Sequence, residues 1–137
     1  MIKHKIELRV RYGETDRMGY VYYGNHALYL EVGRVELLRS LGYPYETLEA
    51  DGVMCPVTAF EIRYVRPALY DEILTVTTEI NEMPTQYALF ESKITNEKGK
   101  LVSAAKVTLA FVDSESRKKC YAPHLLLEKI NQYLDLA

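Results

Sequence analysis

The N-terminal segment of the chain alternates polar and apolar residues. Between positions 5 and 12 every second residue is apolar and the residues between them are all charged, the apolar ones being Ile6, Leu8, Val10 and Tyr12. A period of two predicts a β-strand with one face against a core and the other in solvent. The chain is therefore expected to begin with a strand that covers a core on one side only.

Residues 25–41 follow a different pattern. The segment is too long for one strand and carries apolar residues around most of a helical circumference, which predicts a helix that is buried on nearly all sides. Asn25 is the predicted N-cap, and Gly42, followed by Pro44, is the predicted stop. We therefore expect one long helix in the first third of the chain.

From residue 53 onward the chain consists of long β-rich segments separated by turn residues. Their sequences are VMCPVTAFEIRYV, EILTVTTEI, TQYALFESKIT and KLVSAAKVTLAFV, and each break between them is short. Four further strands, pairing in chain order as an antiparallel meander, are therefore expected. Pro123 and the helical spacing of the apolar residues after it predict a closing helix.

These elements together predict the fold class. A strand, a long apolar helix and four consecutive strands form an α+β domain in which one curved antiparallel sheet of about five strands wraps around one long central helix. The chain has 137 residues, which fit a single domain over positions 1–137. The strand at 101–112 is apolar on both faces, so one copy would leave apolar surface or a sheet edge exposed, and we expect a homodimer or a dimer of dimers.

Composition and charge exclude several functional classes. The net charge of -2 provides no general attraction to nucleic acid or to an anionic membrane. The N-terminus resembles neither a secretion signal nor a membrane span, so we expect a cytoplasmic protein without a membrane partner. Cys55 and Cys120 lack a C-x-x-C spacing and are expected to be free thiols, and three scattered histidines predict no metal site.

The segment ETDRMGYVYYGNHALYL, residues 14–30, leads into the predicted helix. Together with the order of elements it resembles the hotdog-fold acyl-CoA thioesterases of the 4-hydroxybenzoyl-CoA thioesterase type. The matching positions are Thr15-Asp16, Gly19, the pair Tyr20-Val21 and the aromatic residues Tyr22-Tyr23. The later segment RYVRPALYDEILTV is similar to the strand-turn-strand of the same family. The resemblance covers nearly the whole chain and implies the hotdog fold and hydrolysis of an acyl-CoA.

The resemblance also implies a division of roles. Asp16 is the implied catalytic carboxylate, acting as nucleophile on the thioester carbonyl or as general base on water, and the main-chain N–H groups around Tyr23 and Gly24 are the implied donors to the oxyanion. Tyr23 stands where many bacterial relatives have histidine, which leaves a main-chain role intact. Coenzyme A enters as part of the substrate, so no separate cofactor is expected. The residues expected to contact the substrate are Gly19, Val21, Tyr22, Gly24, Asn25 and His26.

Several alternatives stay open at this level. Asp16 is also typical of a turn residue, and Glu31 is a second candidate carboxylate, although an ion pair with Arg34 would lower its basicity. An acyl-carrier-protein thioesterase or a non-catalytic acyl-thioester-binding dimer would have the same fold. The basic residues available for the coenzyme A phosphates are Arg63, Arg66, Arg117, Lys118 and Lys119.

Overall fold

A computed structural model describes residues 1–136 of the chain, and Ala137, the last residue of the predicted domain, lies outside the described residues. The elements are, in chain order, β1 (Ile2–Arg9), a short 3₁₀ helix (Tyr12–Glu14), α1 (Asn25–Ser40), α2 (Tyr45–Ala50), β2 (Val53–Met54), β3 (Val57–Tyr64), β4 (Ile73–Ile80), β5 (Tyr87–Thr95), β6 (Leu101–Ala110), β7 (Val112–Asp113) and α3 (His124–Leu136). These helices and strands confirm the predicted α+β class.

Five strands form the main antiparallel sheet, in the order β1-β4-β5-β6-β3, and β2 pairs with β7 separately. The number of strands confirms the prediction, but the predicted meander is correct only for β4, β5 and β6. β3 pairs with β6, with Phe60 opposite Val107, whereas β4 pairs with β1. The connection, residues 65–72, can extend over about 26 Å. It can therefore span the three strand spacings, about 14 Å, that separate β3 from β4.

Two of the predicted strands are interrupted. The segment 53–65 divides into β2 and β3 at Pro56, whose missing N–H cannot join a strand ladder. The segment 101–112 divides into β6 and β7 at Phe111, whose amide donates to the carbonyl of Gln86. The short helix α2 has no counterpart in the prediction, because six residues carry too little periodicity to be recognised.

Both ends of α1 are fixed by local hydrogen bonds. The N-cap is Gly24, and the prediction of Asn25 was wrong because the Asn25 side-chain amide donates to the carbonyl of Glu14 instead of capping the helix. At the other end Gly42 has a φ of +80°, and the amide of Tyr43 donates to the carbonyl of Leu38. Glycine accepts this left-handed conformation easily. The predicted stop at Gly42 is therefore confirmed.

α1 packs on the sheet through one face, against β1 and β4. The opposite face is not covered, since Leu28 and Val32 are 56% and 44% exposed. The prediction of burial on nearly all sides is therefore wrong for the single chain.

The core is also covered by a second long helix, α3, through Leu126 and Ile130. The buried residues of α1 are His26, Tyr29, Leu30, Gly33, Arg34, Leu37 and Leu38.

Apolar surface and a sheet edge are exposed, as expected for one copy, but they lie on β3 and not on β6, whose two apolar faces were the reason for the expectation. Val102, Val107 and Leu109 of β6 are buried within the single chain, because their side chains pack into the two hydrophobic clusters of the core. β3 is at the edge of the sheet, and its Phe60 and Tyr64 are 42% and 44% exposed. An unpaired edge with apolar side chains is a common site of strand pairing with another chain.

Cys55 and Cys120 are free and half-buried. Burial raises the pKa of the Cys55 thiol to about 12 and also raises the pKa of Cys120, so both thiols are protonated at neutral pH. A nucleophilic role for Cys55 is thus disfavoured. Within residues 1–136 no group of side chains could hold a metal ion, and no helix is long and apolar enough to cross a membrane.

α1 approaches β4 very closely at Gly33. A methyl group added to this glycine would lie 2.5 Å from the hydroxyl oxygen of Thr78 and 2.9 Å from Cγ1 of Val76. Both residues are completely buried, so neither can move aside without disturbing the packed core. Glycine is therefore required at this position by the available space.

Replacing Gly33 by alanine should destabilise the protein. Overpacking costs roughly 1–3 kcal/mol, which exceeds the gain of up to about 1 kcal/mol in helix propensity. We expect the urea midpoint of Gly33→Ala to fall, with Gly13→Ala, where an added methyl group meets nothing within 4 Å, as the matched control. A Gly33→Ala midpoint equal to or above that of the wild type would show that the contact at Thr78 is not tight.

Candidate active site

A cleft of about 680 Å³ lies between the loop that precedes α1 and the end of β3. Most of its wall is apolar or aromatic, with a few charged groups, which is typical of a site for a small molecule. Its lining residues are Asp16, Arg17, Met18, Tyr20, Val21, Tyr22, Tyr23, His26, Tyr64, Val65, Arg66 and Pro67.

Asp16 both shapes the loop and borders the cleft. Its Oδ1 accepts hydrogen bonds from the amides of Met18 and Tyr20, at 2.8 and 3.2 Å, and its main-chain carbonyl accepts one from the amide of Gly19. Within residues 1–136 no donor contacts Oδ2. The turn interpretation and the catalytic interpretation are therefore compatible, because one oxygen holds the loop and the other is available to a ligand.

The start of α1 offers unpaired main-chain donors. Gly24 already has helical dihedral angles, φ -67° and ψ -22°. The amides of Asn25 and His26 donate back to the carbonyls of Tyr22 and Tyr23, whereas the amides of Tyr23 and Gly24 have no acceptor in the described part of the chain. Free N–H groups at the positive end of a helix are suited to binding a developing oxyanion.

Glu14, which the sequence did not single out, connects the loop to α1. Its Oε1 accepts hydrogen bonds from the Arg11 amide at 2.8 Å and from the Tyr29 hydroxyl at 2.9 Å. Its carbonyl accepts from the Tyr22 amide and from the Asn25 side chain. Burial opposes ionisation, but the hydrogen bonds outweigh it and hold the pKa of Glu14 below its ordinary value. The contact with Arg11 is local, whereas the contacts with Tyr22, Asn25 and Tyr29 form only when the loop folds against α1, so no local pattern pointed to them.

His26 is 3% exposed and contacts two side chains from distant strands. Its Nδ1 lies 3.0 Å from Oγ of Ser103, which is 77 positions away on β6. The Tyr64 ring packs edge-on against the imidazole at 4.8 Å, and its hydroxyl donates to the carbonyl of Tyr23 at 2.9 Å. Burial lowers the pKa of His26, so the ring is neutral at neutral pH. Ser103 and Tyr64 carry no sequence signal of their own.

The residues expected to contact substrate occupy different places around the loop. Gly19, with a φ of +80°, closes the turn beside Asp16 and borders a second cavity of about 650 Å³, which shares Asp16 and Arg17 with the cleft. The Asn25 side chain is engaged with Glu14, and Gly24 contributes only its main chain. Of these residues Val21, Tyr22 and His26 border the cleft, together with the two residues predicted to be catalytic, Asp16 and Tyr23.

Comparison with known protein families shows to which family the chain belongs. The thioesterase-like superfamily matches residues 10–130. The chain belongs to this superfamily. The matched range contains the whole lining of the cleft, so the loop, the start of α1 and the end of β3 are parts of the thioesterase-like domain itself.

Individual relatives agree with this assignment. YneP of Bacillus subtilis is 39% identical over 114 residues, which cover 83% of each chain. The acyl-CoA thioester hydrolase YbgC of Escherichia coli is 30% identical over 91% of this chain and 93% of its own. The crystal structure of a DHNA-CoA thioesterase from Staphylococcus aureus, 29% identical, superposes with a TM-score of 0.91 over 99% of this chain and 93% of its own. The resemblance to hotdog-fold thioesterases is therefore confirmed.

One of the two arginines at this thioesterase-like cleft is among the basic residues that the sequence favoured, and the other is not. Of the five candidates only Arg66 borders the cleft, where it is joined by Arg17. The segment 117–119 is engaged elsewhere, since the amino group of Lys119 donates to the Tyr87 hydroxyl and lies 4.8 Å from the centre of its ring. A dense run of basic residues does not reveal which loops surround a cleft.

Glu31, the second candidate carboxylate, is exposed on α1 and borders a separate cavity of about 380 Å³. The predicted ion pair with Arg34 was wrong, because no ion pair between them is present in residues 1–136. Both side chains border that cavity, but Arg34 is buried, with an unpartnered Nε, whereas Glu31 is exposed and its carboxylate lies beyond ion-pair distance. Asp16 is the carboxylate that shares a cleft with the start of α1.

The bonds to Glu14 should make stability depend on pH. The folded state lowers the pKa of Glu14, so its contribution is present above the unfolded-state pKa, about 4.3, and is lost as the pH falls through the folded-state pKa. Glu14→Gln should therefore lower the free energy of unfolding at pH 7 by roughly 1.5–3 kcal/mol. The difference from the wild type should shrink as the pH falls below about 5.

Urea unfolding between pH 3.5 and 7 measures this difference. Glu115→Gln is the matched control, because Glu115 is an exposed loop residue, and its curve should follow that of the wild type. A Glu14→Gln deficit that stays constant over the whole pH range would contradict the assigned role of the Glu14 carboxylate.

Proposed function

We propose that this protein hydrolyses acyl-CoA thioesters to a free acid and coenzyme A. The observation that carries the proposal is that Asp16 and Tyr23, whose unpaired amide lies just before α1, border one cleft. Membership of the thioesterase-like superfamily supports the same reaction. So does the similarity to YbgC, which is named an acyl-CoA thioester hydrolase.

Asp16 is the proposed catalytic carboxylate. A thioester carbonyl is already electrophilic, so hydrolysis needs one well-placed base or nucleophile and a site for the oxyanion. Oδ1 is held by the loop amides, and Oδ2 is the atom that acts on the substrate. It either removes a proton from the attacking water or attacks the carbonyl carbon to give an anhydride that water then cleaves. In both cases the thiolate of coenzyme A leaves and is protonated.

The amides of Tyr23 and Gly24 are the proposed oxyanion donors. They are free because the two amides that follow are already bonded to the preceding turn. Their positions are fixed by the helix, and the partial positive charge of its first turn favours an anion. Donors that are already oriented need no rearrangement when the carbonyl oxygen gains charge.

The remainder of the cleft fits the two ends of an acyl-CoA. Tyr20, Val21 and Val65 give an apolar wall for the acyl group or the pantetheine arm. Arg17 and Arg66 border the same cleft and are the proposed partners of the coenzyme A phosphates. This assignment replaces the segment at 117–119, which lies beside Tyr87.

Asp16→Asn tests the catalytic assignment sharply. Asparagine keeps the oxygen that accepts from the loop amides, so the loop should fold while the negative charge is lost. We expect kcat for a panel of short-chain, long-chain and aromatic acyl-CoAs to fall roughly 100-fold or more, with little change in the urea midpoint. Asp135→Asn, an exposed position on α3, is the matched control and should keep wild-type activity.

The other outcomes of this assay distinguish the alternatives. Full turnover by Asp16→Asn would remove Asp16 from the mechanism. Hydrolysis of acyl-carrier-protein thioesters but not of acyl-CoAs by the wild type would indicate an acyl-carrier-protein thioesterase. Equal coenzyme A ester binding by both proteins, with no turnover by either, would indicate a non-catalytic binding protein.

We further propose that residues 1–137 form one hotdog thioesterase domain that acts as a homodimer in the cytoplasm, with α1 as its central helix. The support for self-association is the unpaired edge of β3 with Val57, Phe60 and Tyr64, beside the uncovered face of α1. An apolar surface of this kind is stabilised when a second copy removes it from water. A symmetric dimer would place the same edge on both sides of the interface.

Phe60→Lys should weaken this association. A charge in the middle of the exposed edge would have to be desolvated in the dimer, which is costly. Light scattering at micromolar concentration should give a dimer mass for the wild type and a monomer mass for the variant. Tyr121→Lys, an equally apolar-to-charged change at an exposed position away from β3, should leave the mass unchanged. A wild-type monomer would contradict the proposal.

A further inference from the structure

The imidazole of His26 has one ring nitrogen that the fold does not use. Nδ1 lies 3.0 Å from Oγ of Ser103, whereas Nε2 has no hydrogen-bond partner within residues 1–136. Nε2 is also not one of the enclosed polar atoms that lack a partner. Because the ring is almost completely buried and borders the cleft, the accessible nitrogen faces the cleft.

The bond to Ser103 determines which nitrogen carries the proton. Ser103 is buried, and within the described residues its hydroxyl has His26 as its sole side-chain or main-chain partner. A buried hydroxyl proton needs an acceptor, and here Nδ1 is the acceptor that is available. The ring is neutral, since burial disfavours the charged form. A neutral imidazole that accepts at Nδ1 must carry its proton on Nε2.

We propose that Nε2–H of His26 donates a hydrogen bond to the carbonyl oxygen of the bound thioester, and that Ser103 is the positioning residue that keeps His26 in this tautomer. The inference rests on the proposed thioester hydrolysis and adds a side-chain donor to the two main-chain donors of α1. A neutral donor stabilises the oxyanion without competing for the negative charge of Asp16.

The surroundings of His26 hold the ring in one orientation. Tyr64 packs edge-on against one side, and its hydroxyl is tied to the carbonyl of Tyr23. Tyr29 lies on the helix at 6.4 Å from the imidazole, and its own hydroxyl is bound to Glu14. Each of these two hydroxyl groups is therefore engaged with a partner other than His26, which leaves Nε2 of His26 to the ligand.

Two substitutions at His26 distinguish a role as hydrogen-bond donor from a role in packing alone. His26→Phe keeps a ring of similar size without a donor, and we expect kcat to fall about 100-fold with KM changed less than about threefold. His26→Gln keeps an N–H donor near the position of Nε2 and should recover part of the loss. His124→Gln, at an exposed position on α3, should behave as the wild type. A kcat of His26→Phe within threefold of the wild type would overturn the proposal.

The tautomer is measured without any substrate, by nitrogen-15 spectra of the histidine-labelled protein at pH 7. We expect a protonated Nε2 and an unprotonated Nδ1 for His26, and a loss of this single tautomer, together with a lower kcat, in Ser103→Ala. A proton on Nδ1, or a doubly protonated ring, would overturn the proposal even if His26→Phe failed to fold. Because this spectrum needs no turnover, it is separate from Asp16→Asn, which tests the proposed hydrolysis itself.

Discussion

The hydrogen bonds of Glu14 are the constraint on which the cleft depends. The loop that carries Asp16 has little regular structure of its own, and its pairing consists of isolated bridges such as Thr15 with Val21. Glu14 fastens this loop to α1 through its carboxylate, which binds Tyr29, and through its carbonyl, which binds Asn25. A reactive group must be held within a fraction of an ångström to be effective, and these bonds provide that precision at the place where loop and helix meet.

The same arrangement explains how charge is distributed in the cleft. Asp16 supplies a carboxylate, and the groups opposite it are neutral donors: the amides at the start of α1 and, in our proposal, the imidazole of His26. Burial keeps that imidazole uncharged, so the site does not form an ion pair that would tie up the carboxylate. Neutral dipoles that are already oriented can stabilise an oxyanion without a large desolvation cost. Arg17, which is exposed, and Arg66, which is half-buried, border the same cleft.

Elements that depend on neighbouring residues follow from the sequence pattern, whereas elements that depend on packing do not. The alternation of β1, the apolar segment of α1 and the stop at Gly42 were all readable, because each depends on residues within one or two turns of each other. The position of β3 in the sheet was not readable from the sequence. The connection between β3 and β4 is long enough to cross the sheet, so the strand order depends on which sheet edge is available. The ion pair between Glu31 and Arg34 failed for a similar reason: the spacing of three residues allowed the contact, but packing buries Arg34 and leaves Glu31 exposed, and the two do not pair although both border one cavity.

For the function, the sequence by itself determined the thioesterase-like family, the loop with Asp16 and the helix whose first turn follows it, because these features are contiguous in the chain. The tertiary structure alone decided that Ser103 and Tyr64 meet His26, that Glu14 is bonded to Tyr29, and that Arg66 rather than the basic run at 117–119 borders the cleft. The physical reason is that these residues lie on separate elements, 15 positions apart for Glu14 and Tyr29 and 77 for His26 and Ser103, so that the packing of the core, and not the local pattern of residues, sets the distances.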